Sequence, residues 1–354
     1  MTDIPAKVFF ETSPFSVVAD EAAARCWGGR GKALEGLLKI RHTLKTRPDS
    51  SLDLIWANLG AGKTHTLFHL EYLLSQDSSG GHTVCVFVEM QEQLRNFHDL
   101  YKRIVSAIPT IELSDVLSNC PIGKLPDSVA RAANVFRNGG PSECALIRSW
   151  LNGEHPYLNE LKKCSGITQR IEDDATAVDA LCAILQAFAM SKRRLLVCID
   201  EFQRVGVVGP RTRQQILSSL RTVFSRNPRY FSVVIAVQSM IEKNALELVP
   251  PELQTLIGRK PSISLPEMDV AEARDFLRGR FEYFRPEGYV GPAFAPFDEQ
   301  AVHEVLDYMH RDAHVALIPR EILQAFAYIF DESGICSSIV PATALKIASD
   351  LYGP

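Results

Sequence analysis

The 354-residue chain has no apolar run approaching about 18 residues, so a membrane-spanning helix is not expected. Its N-terminus, MTDIPAKVFFETSPF, lacks a basic start followed by a long apolar stretch, so it does not read as a secretory leader. The eight cysteines (Cys26, Cys85, Cys120, Cys144, Cys164, Cys182, Cys198 and Cys336) form no C-x-x-C pair, and the nine histidines do not cluster. This argues against structural zinc and a disulfide framework and fits a reducing cytoplasm. Cys85 and Cys198 fall inside apolar strand-like runs, where a thiol acts as a small hydrophobe. Internal repeats and low-complexity tracts are also missing. Hydrophobic residues at 46% and charged residues at 23% are ordinary for a soluble globular chain. The length allows one large domain or two modest ones.

What stands out is ANLGAGKT, residues 57–64. Gly60 and Gly62 let the backbone curl so that successive N–H groups face a phosphate. Lys63 reaches the outer phosphates, and the Thr64 hydroxyl is a ligand for Mg²⁺. Such a loop requires a strand before it and a helix after it. LDLIWA (52–57) reads as a buried strand, and THTLFHLEYLL (64–74) as a helix with Leu67, Leu70 and Leu74 on one face. Ala57 stands where the usual pattern has glycine, a position that mainly needs a small residue. The nucleotide-contacting set is therefore Asn58, Leu59, Gly60, Ala61, Gly62, Lys63, Thr64 and His65. His65 and His69 are also i, i+4, a spacing open to a metal, although helix packing or surface exposure explains it more simply.

A phosphate loop calls for a second strand ending in a carboxylate. RRLLVCIDEF (193–202) supplies it: Leu195 to Ile199 are continuously apolar, Asp200 follows as a metal ligand, and Glu201 as the group that polarises water. HTVCVFVEM (82–90), RYFSVVIAVQS (229–239) and PSISL (261–265) read as further strands, separated by helical patterns. The predicted fold class is α/β, a parallel sheet wound on both faces. Gln238-Ser239, at the end of one strand, is either a γ-phosphate sensor or an ordinary strand end. Residues 1–50 read as an approach segment, 51–265 as the nucleotide-binding core, and 266–354 as a helical region. Within the core, 91–192 reads as several helices, either an insertion or a helical subdomain.

With these motifs in place, the chain resembles the AAA+ ATPases, in particular their origin-recognition-like branch. WGGR (27–30) looks like the short Gly-Arg motif before the phosphate loop. LIGRKPSISLPEM (256–268) looks like the segment that carries an arginine before the last core strand. FDEQAVHEVLDYM (297–309), IPREILQAF (318–326) and VPATALKIA (340–348) look like the helical lid. The resemblance implies ATP and Mg²⁺ as cofactors, ATP held between core and lid, and a homo-oligomer. It also implies Arg259 as a finger reaching a neighbour's nucleotide, against the alternative of a surface residue, and Arg320 as a second sensor touching the γ-phosphate. A narrower likeness, through ALIRSWLNGE (145–154), is to ATP-binding proteins of BREX phage defence; TnsC-type transposition regulators share the general design. No winged-helix sequence follows the lid-like region, so DNA binding does not carry over from such a domain.

Charge is uneven along the chain. Residues 192–230 hold Lys192 and eight arginines against Asp200 and Glu201, a net +7; with −4 overall, the remainder carries −11. Arg204, Arg211 and Arg213 flank VGVVGP (205–210), and two readings stay open: contact with duplex DNA phosphates, or pairing with carboxylates of a neighbouring subunit. Aromatic residues are scarce there, which disfavours base stacking. The reading that results is an ATP-hydrolysing switch acting on DNA or a partner protein, in phage defence or mobile-element control. Its rival is a nucleotide-gated scaffold with little turnover, whose helical stretch recruits an effector.

Overall fold

The computed structural model describes residues 9–20, 22–76, 82–90, 94–247, 249, 253–254, 257, 262–334 and 338–353. Arg259 and Cys336 lie outside them. The strands are β1 (Ser51–Ala57), β2 (Thr83–Glu89), β3 (Arg194–Asp200), β4 (Phe231–Gln238) and β5 (Ile263–Leu265), in the sheet order β2-β3-β4-β1-β5. β2 pairs with β3, and β3 with β4, in parallel; Glu89 stands opposite Asp200. The helices are α1 (Gly31–Thr46), α2 (Lys63–Ser75), α3 (Phe97–Ala107), α4 (Thr110–Ser118), α5 (Asp127–Asn138), α6 (Pro141–Leu151), α7 (Leu158–Ser165), α8 (Asp174–Met190), α9 (Pro210–Arg226), α10 (Glu242–Glu247), α11 (Val270–Phe284), α12 (Glu299–Arg311), α13 (Pro319–Glu332) and α14 (Pro341–Tyr352). Among the described residues no helix is long and apolar enough to cross a membrane.

The chain divides into two compact units. One comprises Lys39–Trp56 and Leu74–Ser262, the other Met1–Leu38, Ala57–Leu73 and Ile263–Pro354. In the first, β3 is buried along its whole length, which is why its sequence is apolar without alternation. The core runs without a break from Val86, Val197 and Val233 on the strands to Leu100, Ile104, Leu117, Trp150 and Phe188 on the helices. The helices between Phe97 and Met190 share the core of the sheet. Asn96 caps α3 through the Asp99 N–H (3.0 Å), and Asp173 caps α8 through the Thr176 N–H (2.8 Å). Arg194, at the buried head of β3, ties this unit together. Its guanidinium donates to the Leu44 and Asp49 carbonyls (3.1 Å each), the Ser232 hydroxyl (2.6 Å) and the Arg47 carbonyl.

The second unit has a separate core, built on α11 to α14 around Phe281, Phe297 and Phe326. Phe10 and Phe15 from the N-terminal segment complete it, with ring centroids 5.1 and 5.7 Å from Phe281. Two arginines of this unit fasten that segment: Arg280 donates to the Pro14 and Ser16 carbonyls, and Arg285 to the Phe9 carbonyl while lying 4.6 Å over the Phe10 ring. Residues 9–16 of the N-terminal segment and the lid-like helices therefore belong to one packed body.

Candidate nucleotide site

The phosphate loop belongs to the second unit. At Ala57 β1 ends, and the loop then turns on two glycines with positive φ, Gly60 at 77° and Gly62 at 92°. Side-chain-bearing residues avoid that region, so the glycine spacing is a conformational requirement. Ala61 is fully buried between them, whereas Leu59 is exposed. Lys63 opens α2 and is itself buried; its Nζ donates to the Asn58 carbonyl at 3.2 Å, across the mouth of its own loop. The Gly62 carbonyl accepts from the Thr66 N–H (2.9 Å) and hydroxyl (2.8 Å), which fixes the first turn of α2 behind the loop. The orphan N–H groups of this turn and the helix pole make it an anion site in kind.

Two arginines of the same unit meet the loop. Arg30 is buried with φ +48°, and it donates to the Ala61 carbonyl and, at 2.7 Å, to the Pro266 carbonyl. Burial pulls its guanidinium down to about 10, which leaves it charged at neutral pH. The glycines before it are forced by crowding: a Cβ on Gly28 would stand 2.7 Å from the Phe276 Cα, and one on Gly29 2.6 Å from the Glu272 carbonyl. Arg30 was not among the residues singled out from the sequence, although the Gly-Gly-Arg signal was there to find it. Arg320 is half-buried at the second position of α13, after Pro319. Its N–H points to the Gly60 carbonyl at 3.4 Å, and a Cβ on Gly60 would lie 3.0 Å from the Arg320 Cβ. The start of α13 is therefore packed directly on the loop tip.

The His65 and His69 rings are each engaged by a backbone carbonyl. They bond the Cys26 carbonyl (2.9 Å) and the Ala24 carbonyl (2.7 Å), and Trp27 lies 4.7 Å from His69. Burial lowers His65 to about 4 and also lowers His69, so both are neutral near pH 7. Among the described residues no three His, Cys, Asp or Glu side chains gather to hold a metal.

The carboxylate pair belongs to the first unit. Asp200 ends β3, buried, with one carboxylate oxygen accepting the Glu201 N–H at 2.8 Å. Glu201 has φ +55°, a left-handed conformation that costs a non-glycine residue about 1 kcal/mol or more. It breaks the strand there and begins a short 3-10 turn, Phe202–Gly206. Gln203 Nε2 donates to Glu201 Oε2 at 2.7 Å, while Gln203 Oε1 accepts the Gln238 N–H at the tip of β4 (2.9 Å). Gln238's side chain is exposed. Arg204 lies 3.6 Å from the same Glu201 oxygen, 3.3 Å from Glu89 and 2.7 Å from the Met90 carbonyl. The tips of β2, β3 and β4 are thus joined by side chains. Thr64 in the second unit carries a hydroxyl and Asp200 in the first a carboxylate, each by itself a hard oxygen donor of the kind Mg²⁺ prefers. When bound, such an ion supplies charge neutralisation for phosphate oxygens.

The structure separates the basic stretch into distinct roles. Arg193 pairs with Glu112 and Asp115, Arg226 with Asp179 (2.6 Å), and Arg204 with the carboxylate cluster. Arg211 is exposed in the first turn of α9; Arg213, half-buried, gives one N–H to the Glu247 carbonyl at 3.2 Å. Arg213 and Arg221 line a cavity of about 670 Å³ between residues 206–210 and the face of α9.

No family model matches the chain, and no curated protein matches it. Solved structures do. The ORC2 protein of Aeropyrum pernix, in ADPNP-ADP complexes, superposes with a TM-score of 0.57 at 17% identity, covering 92% of this chain and 68% of that one. The ORC1 protein of Aeropyrum pernix in complex with DNA gives 0.56 at 12% identity, covering 96% and 69%. The ADP form of the ORC2 protein gives 0.51 at 16%, covering 93% and 67%. At these identities the likeness is one of fold: the chain has the α/β fold of the origin-recognition AAA+ ATPases.

Proposed function

We propose that this chain is an ATP-binding and ATP-hydrolysing switch of AAA+ type that assembles with copies of itself and acts on DNA or a partner protein. The observation that carries the reading is the combination of two local geometries: a Gly60/Gly62 loop with Lys63 buried at the head of α2, and a wholly buried strand ending in Asp200-Glu201. In this reading the loop amides and Lys63 hold the phosphates. Thr64 and Asp200 hold Mg²⁺, and Glu201 takes the proton of the attacking water. Arg320, packed on the loop through its backbone, senses the γ-phosphate, and Gln238 assists from the tip of β4. Arg259 completes the site of a neighbouring copy, which makes hydrolysis depend on assembly. Arg211, exposed in the first turn of α9, and Arg213, which lines the cavity there, meet the DNA phosphates, and Arg204 is tied to the carboxylates. The biological setting proposed is phage defence or mobile-element control, from the sequence likeness alone.

The test is the steady-state ATPase rate of the purified chain with and without duplex DNA, with Glu201→Gln as the blank. Turnover above the blank that rises with DNA supports the DNA-acting switch. Turnover that DNA leaves unmoved turns the search to a protein partner. Turnover in Glu201→Gln equal to the parent's overturns the site. Loss of turnover in Arg259→Ala that mixing with Glu201→Gln partly restores supports the action of Arg259 on a neighbour; a failure to restore counts against it.

A further inference from the structure

Gln203 follows the carboxylate pair by two residues, in a turn whose sequence gives it no evident task. In the structure its amide is used at both ends. The NH₂ group donates to the Glu201 carboxylate at 2.7 Å, and the carbonyl accepts the backbone N–H of Gln238 at 2.9 Å. An amide is the side chain that can do both, because it carries a donor and an acceptor on one rigid plane. Glu201 needs such a restraint. Its backbone stands in the left-handed region, after the end of β3, where no ladder hydrogen bond fixes its direction. Its carboxylate is partly exposed (24%) and its other side-chain neighbour, Arg204, stands off at 3.6 Å. The short charge-neutral bond from Gln203 is the closer of the two contacts.

We infer that Gln203 is a positioning residue for catalysis, a two-ended amide that fixes the Glu201 carboxylate relative to the tip of β4. The inference rests on the reading of Glu201 as the base. Held from one side by β4 through Gln203, Glu201 keeps one orientation out of the several a free glutamate samples. A base displaced by as little as 1 Å loses on the order of 10²-fold in rate. The same link makes the position of the β4 tip, where Gln238 stands, a determinant of where the base points.

The experiment compares Gln203→Ala and Gln203→Glu in the full-length chain, by steady-state ATPase kinetics and by equilibrium binding of a fluorescent ATP analogue. Gln203→Glu keeps an acceptor for the Gln238 N–H but has no donor for Glu201, and at neutral pH places a second carboxylate beside it. Both variants are expected to lose about tenfold in kcat, with KM for ATP and analogue affinity within about twofold of the parent. In the double variant Glu201→Gln/Gln203→Ala the loss is expected to match that of Glu201→Gln alone, because the amide acts through the carboxylate. A Gln203→Glu variant with the parent's kcat or a higher one would show that Gln203 merely pins β4, and would overturn the inference. A loss confined to KM would overturn it as well. If Gln203→Ala fails to fold, judged by its thermal transition, Gln203→Glu decides the matter alone. The reading of Glu201 fails separately, through parent-like turnover in Glu201→Gln, whereas loss there with a normal Gln203→Glu sinks only the inference.

Discussion

The phosphate loop and the carboxylate strand end are built by opposite means. The phosphate loop is shaped by backbone: two positive-φ glycines, carbonyls caught by Lys63, Thr66 and Arg30, and a helix that begins at once. The carboxylate part is shaped by side chains: a strand buried over its full length delivers Asp200 and Glu201, and Gln203, Arg204 and Glu89 link three strand tips around them. Backbone shape recognises a common group, phosphate, and it leaves a fixed signature in glycine spacing. A side-chain network sets where one reactive carboxylate points, and many residue combinations can do that. The first is therefore expected to govern binding, and the second turnover.

The sharpest break of that contrast is a pair of substitutions. Glu201→Gln is expected to lower kcat by at least about 100-fold, in the range of a lost general base, while nucleotide still binds. Lys63→Ala is expected to act first on affinity, by roughly 10-fold or more, because a charge-assisted contact worth about 1.5–3 kcal/mol goes with it. Binding by calorimetry beside steady-state kinetics separates the two. If Lys63→Ala left affinity intact and reduced only kcat, the division between binding part and turnover part would fail.

A second comparison concerns the arginine that braces each unit. Arg194 serves four acceptors and Arg30 two, and all but the Ser232 hydroxyl are backbone carbonyls. Removing a buried donor leaves each stranded acceptor at a cost of about 1–3 kcal/mol before water relieves it. Arg194→Met is expected to cost about 4 kcal/mol of unfolding free energy and Arg30→Met about 2 kcal/mol, by urea titration. Arg30→Met alone should also weaken nucleotide binding, since the Ala61 carbonyl it holds belongs to the loop. Equal losses of nucleotide affinity in both would mean that Arg30 braces the unit in general and not the loop.

Much of this was legible beforehand, and the reasons for the failures are physical. Of the five described strands, four announced themselves as mostly apolar runs and PSISL as a short last strand, and the loop announced itself by its glycines. Helices α4 and α7 escaped notice because they are short and start at Pro109 and Tyr157 without a side-chain cap. Only Leu161 of α7 is buried, so no periodic stripe marks it. The union of the N-terminal segment with the lid-like helices was hidden because Phe10 and Phe281 lie far apart in sequence, and aromatic contacts leave no spacing pattern. Gln203 had no signal at all: a glutamine in a turn reads as solvent-facing until the carboxylate it holds is seen. Arg30 had one, in WGGR, which points to a buried partner only when the crowding against α11 is known.

The glycines offer a finer test. Gly60→Ala and Gly62→Ala both force a side chain into positive φ, at about 1 kcal/mol each. At Gly60 the new Cβ also meets the Arg320 Cβ at 3.0 Å, whereas at Gly62 the nearest atom is the Pro319 Cγ at an ordinary 3.7 Å. Gly60→Ala should thus be the more damaging by about 1 kcal/mol in stability, and it should displace the start of α13. Equal losses would indicate that φ strain alone matters and that the loop does not lean on Arg320.

The smallest effect expected is a pH dependence seated beside the loop. His65 is held neutral by burial, its value lowered to about 4 against about 6.5 when unfolded. Its ring faces the Cys26 carbonyl, with His69, Arg280 and Asp20 as the charged or titratable groups that act on it. Because the unfolded chain takes up the proton first, His65 contributes stability above pH 6.5, and this is lost as the pH falls toward 4. Between pH 7 and 6 the loss is below about 1 kcal/mol, and it grows on further acidification. A His65→Asn variant keeps a donor for the Cys26 carbonyl but has no proton to take up. Its unfolding free energy should therefore fall less steeply than the parent's from pH 7 to pH 5. Parallel curves for the two proteins would place the acid sensitivity elsewhere, in the carboxylates of the other unit or in His98 and His82, which burial also lowers.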